Sequence, residues 1–314
     1  MRRLSFLLTS LIVLIFALVQ IGLVSAADLK PAEIVTRHLD SIAPAATRAA
    51  AKSRVVQGTL TFRVPVGGGG EVAGTWGRVS SEDKSAFVMR FGAGTWRGEQ
   101  FTFDGSKTGF AAATSSHQRS EFAQFISSQD FIIKEGLLGG EYSTGWALMR
   151  LEENHARVES LGRKKVHGRE LLGLQYFSKK TSDMQVKIYF DPETFRHVLT
   201  IYSMSITPNM SSDVIQSSSQ KESRYTLEEQ FGDFKTTEGV TLPTSYRLQW
   251  TEDLQACSTC DGSQLGQASA GQGQMPVQEQ VTTGSGRTLL FDWQMTVTGL
   301  RDNIPLDAGN FQVK

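Results

Sequence analysis

Hydrophobic and polar positions along the chain fall into distinct regimes. From Leu4 to Val24 the residues are almost all apolar, behind Arg2 and Arg3 and ahead of the small residues Ser25 and Ala26. A charged start, an apolar run and a small-residue exit are the parts of a secretory signal, which predicts cleavage before Ala27 and a periplasmic protein. The run is also long enough to span a bilayer, so a retained anchor is the alternative. Residues 31–42 then take helical spacing. Pro31 suits a first turn, and Ile34, Val35, His38, Leu39 and Ile42 share one face. On that face His38 reads as a packed core residue rather than a ligand.

From Val55 the period is two. Val56, Leu60, Phe62, Val64 and Val66 alternate with polar residues, and Gly67 to Gly70 turn the chain. Val72, Gly74 and Trp76 form the next apolar face, then Phe87, Met89 and Phe91, then Phe101 and Phe103 running into Asp104-Gly105, a hairpin signal. The alternation breaks at Ser120. Phe122, Phe125 and Ile126 take helical spacing with Ser120 as N-cap. Ser128 is the expected cap of a second short helix carrying Phe131, Ile132, Leu137 and Leu138 as far as Gly139-Gly140. With Trp146, Leu148 and Met149, this is the most apolar non-strand stretch after the signal. It must be buried.

Strand patterns return at Leu171, Leu174 and Tyr176, after a turn at His167-Gly168. Met184, Val186, Ile188 and Phe190 share a face, Asp191-Pro192-Glu193-Thr194 turns, and Val198, Tyr202, Met204 and Ile206 follow. A polar loop covers 208–220. Tyr225, Leu227 and Phe231 lead to a Glu238-Gly239 turn, then Leu242, Tyr246, Leu248 and Trp250. Residues 255–287 are rich in Gln, Gly, Ser and Thr and read as a long flexible loop. Leu289, Phe291, Trp293, Met295 and Val297 form the last strand. About ten strands, interrupted once by short helices, predict a mainly β fold in one domain over 27–314.

Composition adds little to this picture and removes several functions. The 32 basic and 32 acidic residues cancel; the signal holds two arginines and no acid, so the processed chain carries a formal −2. That balance gives no basis for nucleic-acid binding. The two cysteines, Cys257 and Cys260, sit in the Gln/Gly/Ser-rich stretch and read as a small disulfide, with free thiols or a metal or redox pair as the alternatives. The five histidines are scattered without metal-holding spacing, and no Gly-x-Ser-x-Gly elbow occurs outside a superficial match at 282–286. The tetraglycine lacks the end of a phosphate loop and reads as a hairpin turn. No cofactor, metal or catalytic residue is expected, and the chain reads as a non-enzyme.

The order of short motifs does resemble a known group. An exported chain with an amphipathic helix is followed by Gly74-Thr75-Trp76, Phe103-Asp104-Gly105, a helical interruption, Tyr189-Phe190-Asp191-Pro192-Glu193-Thr194 and Phe231-x-x-Phe234 with Gly239-Val240-x-Leu242-Pro243. In this it is similar to the outer-membrane lipoprotein-sorting (LolA/LolB-like) superfamily, across residues 30–314. The resemblance implies a curved, incomplete antiparallel barrel whose concave side is covered by helices and lodges acyl chains or other hydrophobic cargo. It also implies that Arg78 holds the covering helices closed, although the proline that usually follows that arginine is missing.

Three functions are carried forward. The first is a periplasmic carrier of lipidated or other hydrophobic ligands. Its candidate ligand-facing residues are Trp76, Phe87, Met89, Phe101, Ile188, Tyr202, Tyr246 and Trp293 from strands, and Phe122, Phe125, Ile126 and Trp146 from the helical stretch. The second is an envelope sensor or adaptor that regulates an inner- or outer-membrane protein partner through a fully packed barrel. The third is an envelope enzyme, which needs a clustered acid/base constellation that the sequence does not display.

Overall fold

The computed structural model describes residues 29–65, 70–92, 97–112, 120–180, 182–206, 223–254 and 287–313. The signal segment and its cleavage point, most of the tetraglycine turn, the 208–220 loop and residues 255–286, with Cys257 and Cys260, lie outside the described residues.

Helix α1 (Pro31–Ile42) forms as its spacing predicts and buries Ile34, Val35, His38 and Ile42. A short helix α2 (Ala45–Ala50) leads into a meander of β1 (Ser53–Arg63), β2 (Glu71–Ser81), β3 (Lys84–Phe91), β4 (Gly98–Phe103) and β5 (Thr108–Ala112). The helical stretch holds α3 (Glu121–Ser128) and α4 (Phe131–Lys134), then two 3-10 turns at Gly140–Tyr142 and Ala147–Met149. A second meander follows: β6 (Arg157–Val166), β7 (Arg169–Phe177), β8 (Gln185–Phe190), β9 (His197–Ile206), β10 (Ser223–Thr237), β11 (Val240–Leu254) and β12 (Arg287–Asp302).

These twelve strands form one open antiparallel sheet in the order β5-β4-β3-β2-β1-β12-β11-β10-β9-β8-β7-β6. The first and last strands meet in its middle. The two edges, β5 and β6, are consecutive in the chain. The chain between them must therefore pass from one edge of the sheet to the other, and its described part, residues 120–156, lies across the apolar face. That face is strongly curved. Strands β3 and β11 are four positions apart, which in a flat sheet means about 19 Å. Yet the Phe87 and Tyr246 rings lie 6.5 Å apart, and Trp76 on β2 is 5.7 Å from Tyr246. The architecture is an incomplete barrel with its concave side covered by α1 and the 120–149 strap.

Local chemistry explains the turns. Asp104 does not form a two-residue hairpin; its Oδ1 accepts from the Ser106 and Lys107 amides, making a four-residue connection. His167-Gly168 and Glu238-Gly239 are two-residue turns with φ of +48°, +79°, +52° and +79°, the left-handed pair that matches strand twist.

Two expectations need correction. Among the described residues the strand count is twelve rather than about ten, because neither the short edge strand β5 nor β6 shows an apolar alternation in the sequence. Strand β6 is an edge strand whose Arg157, Glu159, Arg163, Lys164 and Lys165 erase any apolar alternation. Ser128 does not cap the second helix. It ends α3, where its Oγ donates to the Phe125 carbonyl, and α4 starts after Asp130 and stops at Lys134. Leu137 and Leu138 belong to the turn that follows.

Candidate functional site: a strap over an aromatic concave face

All twelve candidate ligand-facing residues are buried, and all point to the same side of the sheet or lie in the strap above it. All twelve belong to one hydrophobic core, within which they fall into local groups. Trp76, Phe87, Phe101 and Tyr246 make a continuous aromatic surface, closed by Phe122, whose ring lies 5.6 Å from Phe101 and 4.7 Å from Trp293. Met89 is buried in the same core. Phe125 meets Tyr225 and Trp250 further along, with Ile126 fully buried beside it in α3. Trp146 sits apart, stacked on His197 at 5.2 Å. Ile188 and Tyr202 supply the neighbouring β8 and β9 wall.

Polar side chains pin the strap to this face. Ser120 caps α3 by accepting from the Ala123 amide. At the far end the Gly139 amide donates to Glu229 Oε1 at 2.6 Å, and the Thr144 amide donates to Ser80 Oγ at 2.9 Å. The Tyr142 hydroxyl donates to the Pro243 carbonyl, and Arg54 donates to the Glu141 carbonyl while gripping Asp302 with two bonds.

Glu229 is the hub. Besides Gly139 it accepts from the Tyr246 hydroxyl at 2.5 Å and the Tyr202 hydroxyl at 2.6 Å, all fully buried. Burial pushes its carboxyl above the usual range, while the three donors and the Arg78 charge pull it back. Arg78 lies directly against the strap: a side chain at Gly139 would come within 2.8 Å of its guanidinium. Burial lowers Arg78 from its ordinary value, and Tyr246 and Glu229 oppose that.

A second cluster surrounds Trp146. Its indole N–H donates to His38 Nε2 at 3.0 Å, so His38 holds its proton on Nδ1, where it faces the Phe195 carbonyl at 3.1 Å. Burial lowers His38 to about 4 and drives His197 well below its ordinary value. Glu141, 3.8 Å from His38, is buried with Oε1 lacking a hydrogen-bond partner among the described residues, and burial raises it well above the carboxylate range. Among the described residues no three His, Asp or Glu side chains come together in a metal-holding group. The arrangement fixes a strap.

Sequence reasoning missed Glu229, Glu141, Arg54 and His197. For Glu229 a signal existed. It lies at period two between Leu227 and Phe231, a carboxylate on an apolar strand face.

No sequence family and no curated protein matches the chain. Similar solved structures do exist. The chain is similar to a LolA superfamily protein. That protein, from Nitrosomonas europaea, shares 11% identity over 91% of this chain and 98% of its own, with a TM-score of 0.40. An outer-membrane lipoprotein-sorting protein domain from Vibrio parahaemolyticus shares 9% over 88% and 97%, with a TM-score of 0.41. The MucA/MucB complex of Pseudomonas aeruginosa shares 8% over 89% and 99%, with a TM-score of 0.20.

Proposed function

We propose that this chain is a non-enzymatic periplasmic carrier that lodges acyl chains of lipidated proteins, or other hydrophobic ligands, between its concave face and the 120–149 strap. One observation carries this reading. The strap covers the face through side chains and isolated amides without joining the ladder, so it can lift while every strand pair stays intact. A lid built this way exposes an aromatic surface at far lower cost than opening a sheet. Arg78, pressed against Gly139, is the residue assigned to hold the lid shut. Export follows from the leader: intact mass of protein recovered from the envelope should lack residues 1–26, and full-length protein resisting carbonate washing would instead favour a retained anchor.

A fluorescent fatty-acyl probe tests the carrier reading on delipidated protein, with folding checked in parallel. Phe125→Glu should loosen the lid or block access, and Met89→Trp should fill space and compete with the probe. The close ring packing of the interior favours a second reading, an adaptor that regulates a membrane protein with its barrel permanently full. Wild-type protein that binds no probe and yields no extractable lipid would move the balance to the adaptor.

A further inference from the structure

At one end of the sheet a groove of about 440 Å³ runs between α4 and the ends of β7 and β8. Its volume falls within the range of small-molecule sites. Its walls divide by chemistry. Phe131, Tyr176, Met184 and Val186 belong to the same core as the concave face, so the floor of the groove is the outer layer of that interior. The lining also carries Gln175, Ser178, Gln185 and the cations Arg157 and Lys180.

The charged residues that line this mouth are two cations, Arg157 and Lys180, and one acid, Asp183. Arg157 lies over the Phe177 ring at 3.9 Å and pairs with Glu159, with more than half of its side chain exposed. Lys180 is more exposed still, and only a 4.0 Å contact links it to Asp130, which pairs more closely with Lys134 at 2.5 Å. Glu135 at the same end is occupied by Tyr176 and Ser178, which leaves Asp183 as the acid in the lining. The strap is tied down on both sides of the groove, by Glu135 and by Gln129 to Ser182, so an acyl chain can pass between the ties by displacing Phe131.

We propose that this groove is the mouth of the carrier and takes an anionic amphiphile, its alkyl chain against Phe131, Met184 and Val186 and its headgroup held by Arg157 and Lys180. This rests on the carrier reading and adds the sign of the cargo's headgroup. The anion is the carboxylate of a free fatty acid or the phosphate of a phospholipid; the groove chemistry is common to both.

The experiment compares a fluorescent long-chain fatty acid with its methyl ester, which keeps the chain and loses the charge, on the purified protein. Two exposed cations should make the acid bind about five- to tenfold tighter at low salt, and the gap should close at high ionic strength. Arg157→Gln with Lys180→Gln should bring the acid to the level of the ester and leave the ester unchanged. Lys164→Glu with Lys165→Glu, a larger charge change on the same edge strand but outside the groove, should preserve the preference. Competition by palmitate against lysophosphatidylglycerol then names the headgroup, the stronger competitor being the better match. Equal binding of acid and ester, or equal loss in both double variants, overturns the groove assignment and leaves the carrier intact. If neither acid nor ester binds, the carrier reading falls and this inference falls with it.

Discussion

The two ends of the strap are attached by different physics. The front, α3, is held almost wholly by apolar contact: Phe122, Phe125 and Ile126 are buried, and each contributes roughly 1.5–3 kcal/mol. The back, from Gly139 to Trp146, is held by buried hydrogen bonds to Glu229, Ser80, Pro243, Arg54 and His38. Lifting the front costs about 5–9 kcal/mol in water, a cost that an alkyl chain can offset by taking over the same contacts. Lifting the back strands charges and donors that no hydrocarbon can satisfy. In the carrier reading, then, the front is the gate and the back is the hinge anchor.

The sharpest break in that contrast comes from the hub. Glu229→Ala removes three acceptor bonds and leaves Arg78 buried without its counter-charge, so urea unfolding should show a loss of about 3–5 kcal/mol. A loss below 1 kcal/mol would mean the back end is no anchor at all.

Acid should act on the same end. The unfolded chain takes a proton on His38 below about pH 6.5, whereas the folded protein refuses it until about 4. Stability therefore falls as pH drops through this window, by roughly 3 kcal/mol from His38 alone, and His197 adds in the same direction. Glu141 and Glu229 work oppositely, because their raised values favour the folded state at low pH and cost stability as pH climbs above 4.5. Subtracting His38→Gln from wild type isolates the histidine contribution. The stability advantage of wild type over the variant should shrink steadily from pH 6.5 to 4, and a constant difference would show that His38 does not titrate with folding.

Removing the α3 cap is a gentler change. Ser120→Ala should cost about 1 kcal/mol and speed amide exchange across residues 121–128 while leaving 139–149 as protected as before. Exchange that rises equally at both ends would make the strap one cooperative unit. The smallest effect is expected at the two cysteines. Cys257→Ser with Cys260→Ser opens at most a very small ring, so thermal stability should drop by less than the ~2–4 kcal/mol usual for disulfides and by less than Ser120→Ala costs.

Much of the sheet could be read directly from alternation: Val56 to Phe62, Phe87 to Phe91 and Leu289 to Met295 each displayed the face that turned out to be buried. Strand β6 could not, since an edge strand that keeps lysines against stray pairing carries no apolar period. The 120–149 stretch announced that it must be buried but not where. Its place follows only from β1 pairing with β12, a contact between residues more than 200 apart that no local pattern encodes. The site was half legible for the same reason. Its aromatic faces follow a period, whereas Glu141, Arg54 and His197 become partners only after the chain has crossed the sheet.

That central pairing also sets when the protein can become whole. Strands β1 to β5 and β6 to β11 can each zip up from local hairpins, but the two blocks join only when β12 arrives between them. Arg54 must wait for Asp302, and the Asn303 amide for the Ser53 carbonyl. A chain emerging from a pore, amino end first, would thus hold β1 and β11 as two unpaired apolar edges until β12 has crossed. Arrival of β12, rather than of any earlier hairpin, would then be the moment at which those edges stop being open to aggregation and proteolysis.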